Sequence, residues 1–587
     1  MRILLLYPPP WKIPSVGDNS ISPEEGPPEH WKPEDRFSGD EITIPYGLLS
    51  LAGQAKKAGH EVTLLNLYQF AWQDVVRIIS NAEADLYGLS CFTSNRRGTL
   101  YTACLIRKLY PGATIFLGGP HATALPREIL QHCKAVNGIV LGEGEKTFLE
   151  LIHSLENGAL PQTIAGMAWR TAHGIHFGPQ RQRIKDLDTM TSPYDYCKGH
   201  IFLSSRGCPG NCSFCGSPSM WGRKVRFHSA KYTLDVLETM VNTHRQKYVF
   251  IKDDTFTANR KRVLEICQGI RKRKLNFLWS CDTRVDSLDE EVLHAMRRAG
   301  CQFISFGVES GSQEILNTIN KRTTPQDALR ATEMAKRYGF TIRFYMMALN
   351  RGETAETLKT SIDFIIQAKP NQFLFSFLTL YPGTREFAIA ESKGLITRET
   401  FFTCKDHYFS FFPENEYDDQ MKKIIRWINT HAGVREFWDY TVADRQKILD
   451  IFPDLSAAHM DLGKALYHSR RYREAEACFR KAMEMGFPMP GIALNYLACL
   501  AVERGKIKEA LEYLKQAKTR DNHHCVEQNL KSLYGWLTTG AYRQQRKPLL
   551  VTYHEFEPHQ SATQPIVPAP ITIYDRARAK QVRLVPR

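Results

Sequence analysis

The chain has 587 residues, 43% of them hydrophobic, enough for two or three packed cores at roughly 100 to 200 residues per domain. Its formal charge of +15 would suit nucleic acid if the basic residues clustered. Part of the excess instead lies in Arg543, Arg546, Lys547, Arg576, Arg578, Lys580, Arg583 and Arg587, in a Pro-containing tail with no RNA-binding motif, so a nucleic-acid site is set aside for a solvated surface.

No stretch approaches the roughly 20 continuous apolar residues of a membrane span, and mean hydropathy is −0.35. The opening apolar run stops at Pro8-Pro9-Pro10 with no small-residue cleavage site after it, so it reads as a buried strand and the protein as cytoplasmic. The 14 cysteines are scattered apart from one tight cluster, unlike a secreted disulfide framework.

Between Ile3 and about Leu160, short apolar runs alternate with amphipathic stretches. Ile3–Leu6, Val62–Leu67, Leu86–Ser90, Thr114–Leu117 and Gly138–Leu141 read as strands. Tyr46–Ala58, Leu100–Leu109 and Pro126–His132 read as helices. That alternation predicts an α/β domain with an open, Rossmann-like parallel sheet and a ligand at the carboxyl ends of its strands. Residues Pro14 to Asp40, rich in Pro, Glu and Gly, read as a long loop on that edge.

A second strand–helix series begins near His200. Its strands are Ile201–Ser205, Tyr248–Lys252, Phe277–Cys281, Phe303–Val308, Thr341–Met347 and Gln372–Leu380, with helices such as Lys231–Thr243, Glu290–Ala299 and Ala355–Gln367 between them. Six such units predict a partial (β/α)6 barrel. From about Leu455 the strands end. Leu462-Gly463, Tyr472, Ala475, Phe479 and Ala482 recur about 35 residues later as Leu497-Ala498, Ile507, Ala510, Leu514 and Ala517, near the tetratricopeptide period of about 34. Two all-α hairpins of that type are expected, docked on the barrel or on another copy. Beyond about Pro558 the polar, Pro-rich composition predicts disorder.

Cys208-x3-Cys212-x2-Cys215 directly follows a predicted strand. Three thiolates on one loop suit three irons of a cubane and leave the fourth iron open. A structural zinc site would need a fourth protein ligand at matching spacing, and none follows. With Phe214 ahead of the last Cys, the segment resembles the radical S-adenosylmethionine (SAM) signature. The resemblance implies a [4Fe-4S] cluster whose open iron is chelated by SAM, and reductive cleavage of SAM to a 5′-deoxyadenosyl radical. It also implies SAM contacts at Phe214, at Asp253 and Asp254 after the second barrel strand, at Arg284, and at Glu309 and Ser310. Asn350-Arg351-Gly352-Glu353-Thr354 departs from the family's usual G-x-P-G-E-T, which puts the geometry of that turn in question.

Three further pieces, each after a predicted strand, resemble the cobalamin-binding domain that precedes the barrel in one radical-SAM subgroup: Gly88–Asn95, Gly118–Thr123 and Gly142–Glu145. The resemblance implies cobalamin contacts at Ser90, Thr93, Ser94, Gly118, Gly119, His121, Gly142 and Glu143. The D-x-H-x-x-G signature, whose His ligates cobalt, is absent, and His121 reads as a loop contact; base-off cobalamin is expected.

The layout is then residues 1–190 for cobalamin, 191–400 for the radical-SAM barrel, 401–454 as a helical linker, 455–540 for the repeats and 541–587 for the tail. The resemblance implies a methyltransferase acting on an unactivated carbon or a phosphinate phosphorus. The alternatives are a cobalamin-dependent radical cyclase or oxidoreductase without methyl transfer, and a repeat-based interaction protein with a relic barrel, against which the intact thiols argue. Implied partners are a small-molecule or carrier- or peptide-bound substrate, a flavodoxin or ferredoxin reductant, and a protein on the repeats.

Overall fold

The computed structural model describes residues 1–9, 44–67, 72–158, 164–403, 419–432, 438–521 and 523–538, with 70, 411, 548, 550, 552, 573–575 and 580–582 besides. The expected loop at Pro14–Asp40 and most of the basic tail lie outside the described residues; in the tail Ile573–Asp575 pairs antiparallel with Lys580–Val582.

The amino-terminal sheet comprises β1 (Arg2–Tyr7), β2 (Glu61–Asn66), β3 (Leu86–Ser90), β4 (Thr114–Gly118), β5 (Gly138–Val140), β6 (Met167–Thr171) and β7 (Gly174–Phe177), in the order β2-β1-β3-β4-β5-β6-β7. β1 to β5 are parallel. The strand order reverses between β1 and β3, which in such sheets opens a crevice at the carboxyl ends.

The five expected strands form the parallel sheet, and two further strands, β6 and β7, add an antiparallel hairpin on its edge. Met167, Ala168 and Trp169 are buried while Arg170 and Thr171 are exposed, a half-buried strand too short for periodicity to reveal. Helices cover both faces: Ile106, Leu117 and Ile129 lie in one core and Leu5, Ala52 and Phe148 in the other.

The second sheet is wholly parallel. It runs β15-β14-β13-β12-β11-β8, from β8 (Ile201–Phe202) through β11 (Tyr248–Ile251), β12 (Leu278–Thr283), β13 (Cys301–Glu309) and β14 (Thr341–Ala348) to β15 (Gln372–Phe377). All six expected strands are present. Between β8 and β11 a two-residue ladder joins β9 (Ser205–Arg206) to β10 (Arg226–Phe227). The cysteine loop runs between these two.

The repeat reading holds at Ser456–His468 with Tyr472–Glu484 and at Pro490–Glu503 with Ile507–Arg520, and a further helix, His524–Thr538, follows. These helices close the amino-terminal floor of the barrel. Tyr248 and Leu278, at the starts of β11 and β12, share one apolar cluster with Met460, Leu494 and Tyr496. Arg297, fully buried, donates to Asp461 at 2.7 Å, and Asn276 donates to the Gly486 carbonyl at 2.9 Å.

Asp461 is 5% exposed and also lies 3.4 Å from Arg445. Removing it strands buried guanidinium charge, so Asp461→Ala should destabilise the barrel by about 3 to 5 kcal/mol, read as a lower thermal midpoint of the cluster-bearing domain. Cutting the chain before Thr441 should do at least as much, because it also uncovers Tyr248 and Leu278.

Candidate functional site

The carboxyl ends of both sheets face one cavity of about 740 Å3, within the range of small-molecule and cofactor clefts. On the first domain's side it is lined by Ser90, Thr93, Ser94, Gly118, Gly119, Gly142 and Glu143. On the barrel side it is lined by Cys215, Ser217, Ser219, Met220, Trp221 and Asp254. Most of the remaining wall is apolar, including Leu5, Leu89, Phe92, Phe116 and Leu203. At Gly119 the backbone has φ +98, and a Cβ would stand 2.8 Å from the Cys91 carbonyl oxygen. Only glycine lets β4 turn there and leave the floor open.

Of the residues expected to touch cobalamin, His121 alone does not line the cavity. It is 2% exposed, its Nδ1 lies 3.0 Å from Thr93 Oγ1, and its ring meets Phe401 edge-on at 5.4 Å. Burial and the nearby Arg96 hold its pKa well below the usual value. Glu143 faces the cavity but already has partners: it pairs with Arg226 and accepts from the Ile184 N–H at 2.9 Å.

The three cysteines share one loop, and backbone and hydroxyl donors already surround their sulfurs. Gly210 N–H donates to Cys208 Sγ at 3.3 Å, Ser217 N–H to Cys215 Sγ at 3.4 Å, and Thr255 Oγ1 lies 3.3 Å from Cys208 Sγ. Cluster thiolates accept such hydrogen bonds. Burial pushes the Cys215 thiol up to about 12 and raises Cys212 as well, with Lys321 opposing it there, so metal loading must displace protons. Among the described residues no group of three or more His, Cys, Asp or Glu side chains could hold a single metal ion.

The expected SAM contacts divide. Asp254 lines the cavity and accepts from Ser217 Oγ at 2.5 Å. Asp253 is 1% exposed and receives four hydrogen bonds, from Ser204 N and Oγ at 2.6 Å each and from Ser205 N and Oγ at 3.0 and 2.7 Å. It holds the approach to the cysteine loop and is not presented to the cavity. Phe214 packs among Leu316, Ile319, Met347 and Leu378 and anchors the loop to the barrel. Arg284 makes a fork with Asp286 at 2.9 and 2.7 Å and lies close enough to the loop that a Cβ on Gly210 would be 3.0 Å from its Nη1.

Glu309 accepts from Lys321 Nζ at 2.9 Å and adopts φ +71 where the register with β14 shifts. Ser310, also expected as a SAM contact, does not line the cavity. It is fully buried, its Oγ lies 2.9 Å from Ser361 Oγ, and it accepts from the Ser312 N–H, so it faces the helix Ala355–Ala368.

The sequence offers Trp221 as an aromatic that could line a pocket, with core packing favoured, and it lines the cavity; the roles of Lys321 and Arg206 are not read from it. The departure at Asn350-Arg351 is compensated locally. Leu349 takes φ +59, and Asn350 donates to Glu353 Oε2 from its backbone N–H at 3.0 Å and from Nδ2 at 3.3 Å. Arg351 donates to Glu386 at 2.9 Å, and Glu386 accepts from Ser213 Oγ inside the cysteine loop at 2.5 Å. The unusual Arg therefore braces the cluster loop.

Three family models match parts of the chain. The description "B12 binding domain" matches residues 38–152, "Radical SAM superfamily" residues 202–365 and "Tetratricopeptide repeat" residues 458–486. An uncharacterized methyltransferase of Pyrococcus horikoshii is 29% identical over 397 residues, 65% of this chain and 86% of that protein. The anaerobic magnesium-protoporphyrin IX monomethyl ester cyclase of Rubrivivax gelatinosus is 28% identical over 359 residues, 58% of this chain and 64% of that protein. The solved methyltransferase TsrM from Kitasatospora setae, with cobalamin and a [4Fe-4S] cluster bound, shares the fold with a TM-score of 0.53 at 19% identity, over 67% of this chain and 78% of that one. The cobalamin-dependent SAM radical enzyme OxsB shares it with a TM-score of 0.50 at 15% identity, over 95% and 82%.

Two outcomes check the site. Cys212→Ala should lose the brown colour and most of the iron of anaerobically purified protein while the amino-terminal sheet stays folded, measured by iron content and circular dichroism. Burial raises the Glu353 carboxyl to about 7, against about 4.3 unfolded. The folded chain then holds a proton that the unfolded chain releases, so stability falls as pH rises across that window. Glu353→Gln should remove this slope, gaining on the parent from about pH 5 to about pH 7, as read from thermal midpoints.

Proposed function

We propose that this chain, whose amino-terminal and central regions match the B12-binding and radical SAM families, works with a [4Fe-4S] cluster, SAM and cobalamin as a methyltransferase acting on an unactivated carbon or a phosphinate phosphorus. The observation that carries this reading is the single cavity shared by the glycine loops after β3, β4 and β5 and by the helix Ser217–Trp221 that follows Cys215. It suits a methyl carrier facing the site of radical formation.

When bound, the cluster supplies the electron that cleaves SAM and cobalamin carries the methyl group. The chain's own residues bind, orient and exclude water. Cys208, Cys212 and Cys215 would hold the cluster, and Asp254 offers a carboxylate at the cavity edge to the methionyl ammonium. Arg284, Glu309 and Lys321 flank Cys212 with charge, tuning the loop's field. Gly118, Gly119 and Gly142 leave room for a flat macrocycle, and the Ser90, Thr93 and Ser94 hydroxyls can hydrogen-bond its periphery. His121, turned onto Thr93 behind the lining, would orient that hydroxyl and not itself hold cobalamin. A flavodoxin or ferredoxin would supply electrons, and the outer face of the repeats suits a protein partner or a carrier-bound substrate.

Likeness to the Rubrivivax cyclase supports a second reading, radical ring formation without methyl transfer. One assay separates the two. A methyltransferase must demethylate one SAM and cleave another, so S-adenosylhomocysteine and 5′-deoxyadenosine should accumulate in about equal amounts, and methyl-labelled SAM should label cobalamin before product. Steady 5′-deoxyadenosine with unlabelled cobalamin would overturn the methyl-transfer reading in favour of the second.

A further inference from the structure

The strand that leads into the cysteine loop is gripped from both domains. Within β9, Ser205 is held by Asp253 of the barrel. Its neighbour Arg206 crosses to the first domain, donating to Glu145 Oε1 at 2.5 Å and Oε2 at 3.3 Å, with Glu143 Oε1 at 3.8 Å. Across the ladder Arg206 faces Arg226, which pairs with Glu143. The four side chains are 3 to 9% exposed. The network is closed by further bonds: Ser50 Oγ donates to Glu145 at 2.9 Å, and the Trp221 ring covers Arg206 at 4.9 Å.

Two guanidinium groups and two carboxylates thus balance in charge inside the boundary between domains. Buried ion pairs are weak devices for stability, since well-packed apolar residues often serve as well or better. What the pairs supply here is directional register, because a planar fork meets a carboxylate in one geometry. Glu143 lies in the loop after β5 whose Gly142 lines the cavity, Glu145 opens the helix that follows it, and Arg206 stands two residues before Cys208, with Gly207 turning the chain between them at φ +95.

We propose that Arg206, forked onto Glu145 and Glu143, is a positioning residue that sets the separation and orientation of the cobalamin-side loops relative to the cluster loop. On the methyltransferase reading above, on which this part rests, the same spacing keeps methyl transfer in step with radical formation. A misplacement of about 1 Å can cost up to about a hundredfold in rate, so a strut so near the first cysteine has direct leverage on the chemistry.

The test uses the full chain loaded with both cofactors. One variant is the apolar pair Arg206→Met with Glu145→Leu, which keeps volume and leaves no unpaired charge; the second is Arg206→Lys, which keeps charge and loses the fork. Pulsed electron paramagnetic resonance reads the interaction between Co(II) cobalamin and the reduced cluster, without substrate or turnover. The expected result is full iron and cobalamin content, a Co-to-cluster distance distribution broader or longer than the parent's, and a ratio of S-adenosylhomocysteine to 5′-deoxyadenosine lower by roughly tenfold or more, with Arg206→Lys intermediate.

A folded, fully loaded apolar pair with the parent's distance distribution would overturn the proposal. If the apolar pair does not fold, Arg206→Lys decides on the same distance measurement. A parent enzyme that forms no S-adenosylhomocysteine would remove the methyltransferase reading alone, and the distance measurement would still decide the role of Arg206.

Discussion

A carboxylate taken out of water must be met by donors, and the site is organised around one such group. Asp253 leaves β11 almost fully buried and is answered by two backbone N–H groups and two hydroxyls from Ser204 and Ser205. Burial raises its pKa, and Arg262 with the serine donors opposes the rise. Leaving it unsatisfied would cost several kcal/mol, so the path of residues 204–205 is tightly set. The cysteine loop starts from that anchored segment. Its far side is anchored again, where Ser213 meets Glu386 and Glu386 meets Arg351. The loop that carries Cys208, Cys212 and Cys215 is thus held at its root and along its length.

The floor of the barrel obeys the same requirement with a different outcome. Parallel strands end in apolar side chains that need cover, and the repeats supply it at Tyr248 and Leu278. Two hairpins are fewer than a free solenoid needs. They persist here because the barrel floor serves as their neighbour and the helix His524–Thr538 packs on the other side. Their structural work at the floor is compatible with a binding role on the opposite face.

What could be read in the sequence were the features written in local pattern. β1 to β5 and the six barrel strands follow from short apolar runs, the cluster loop from cysteine spacing, and the hairpins from their period. What could not be read depends on side-chain direction. Asp253 and Asp254 are neighbours, yet one is sealed under the loop and the other lines the cavity. Glu309 and Ser310 part ways at a register shift in β13, where Glu309 takes a positive φ, and no composition marks that bulge. Ion pairs across the fold are invisible for the same reason: Arg206 and Glu145 are 61 residues apart, Arg297 and Asp461 are 164 apart.

These two long-range pairs show how one interaction serves different ends at the two mouths of the barrel. Arg297–Asp461 lies at the closed floor, surrounded by packed helices, where its directionality only locks a docking that apolar burial already drives. Arg206–Glu145 lies beside the cavity, where apolar contacts between the domains, such as Leu125 with Leu380 and Phe387, are joined by directional ones that fix the geometry. Apolar surface is indifferent to small sliding, whereas a forked hydrogen bond weakens steeply as its angle opens. A boundary whose loops from both domains line one cavity is therefore held by charge as well as by apolar contact.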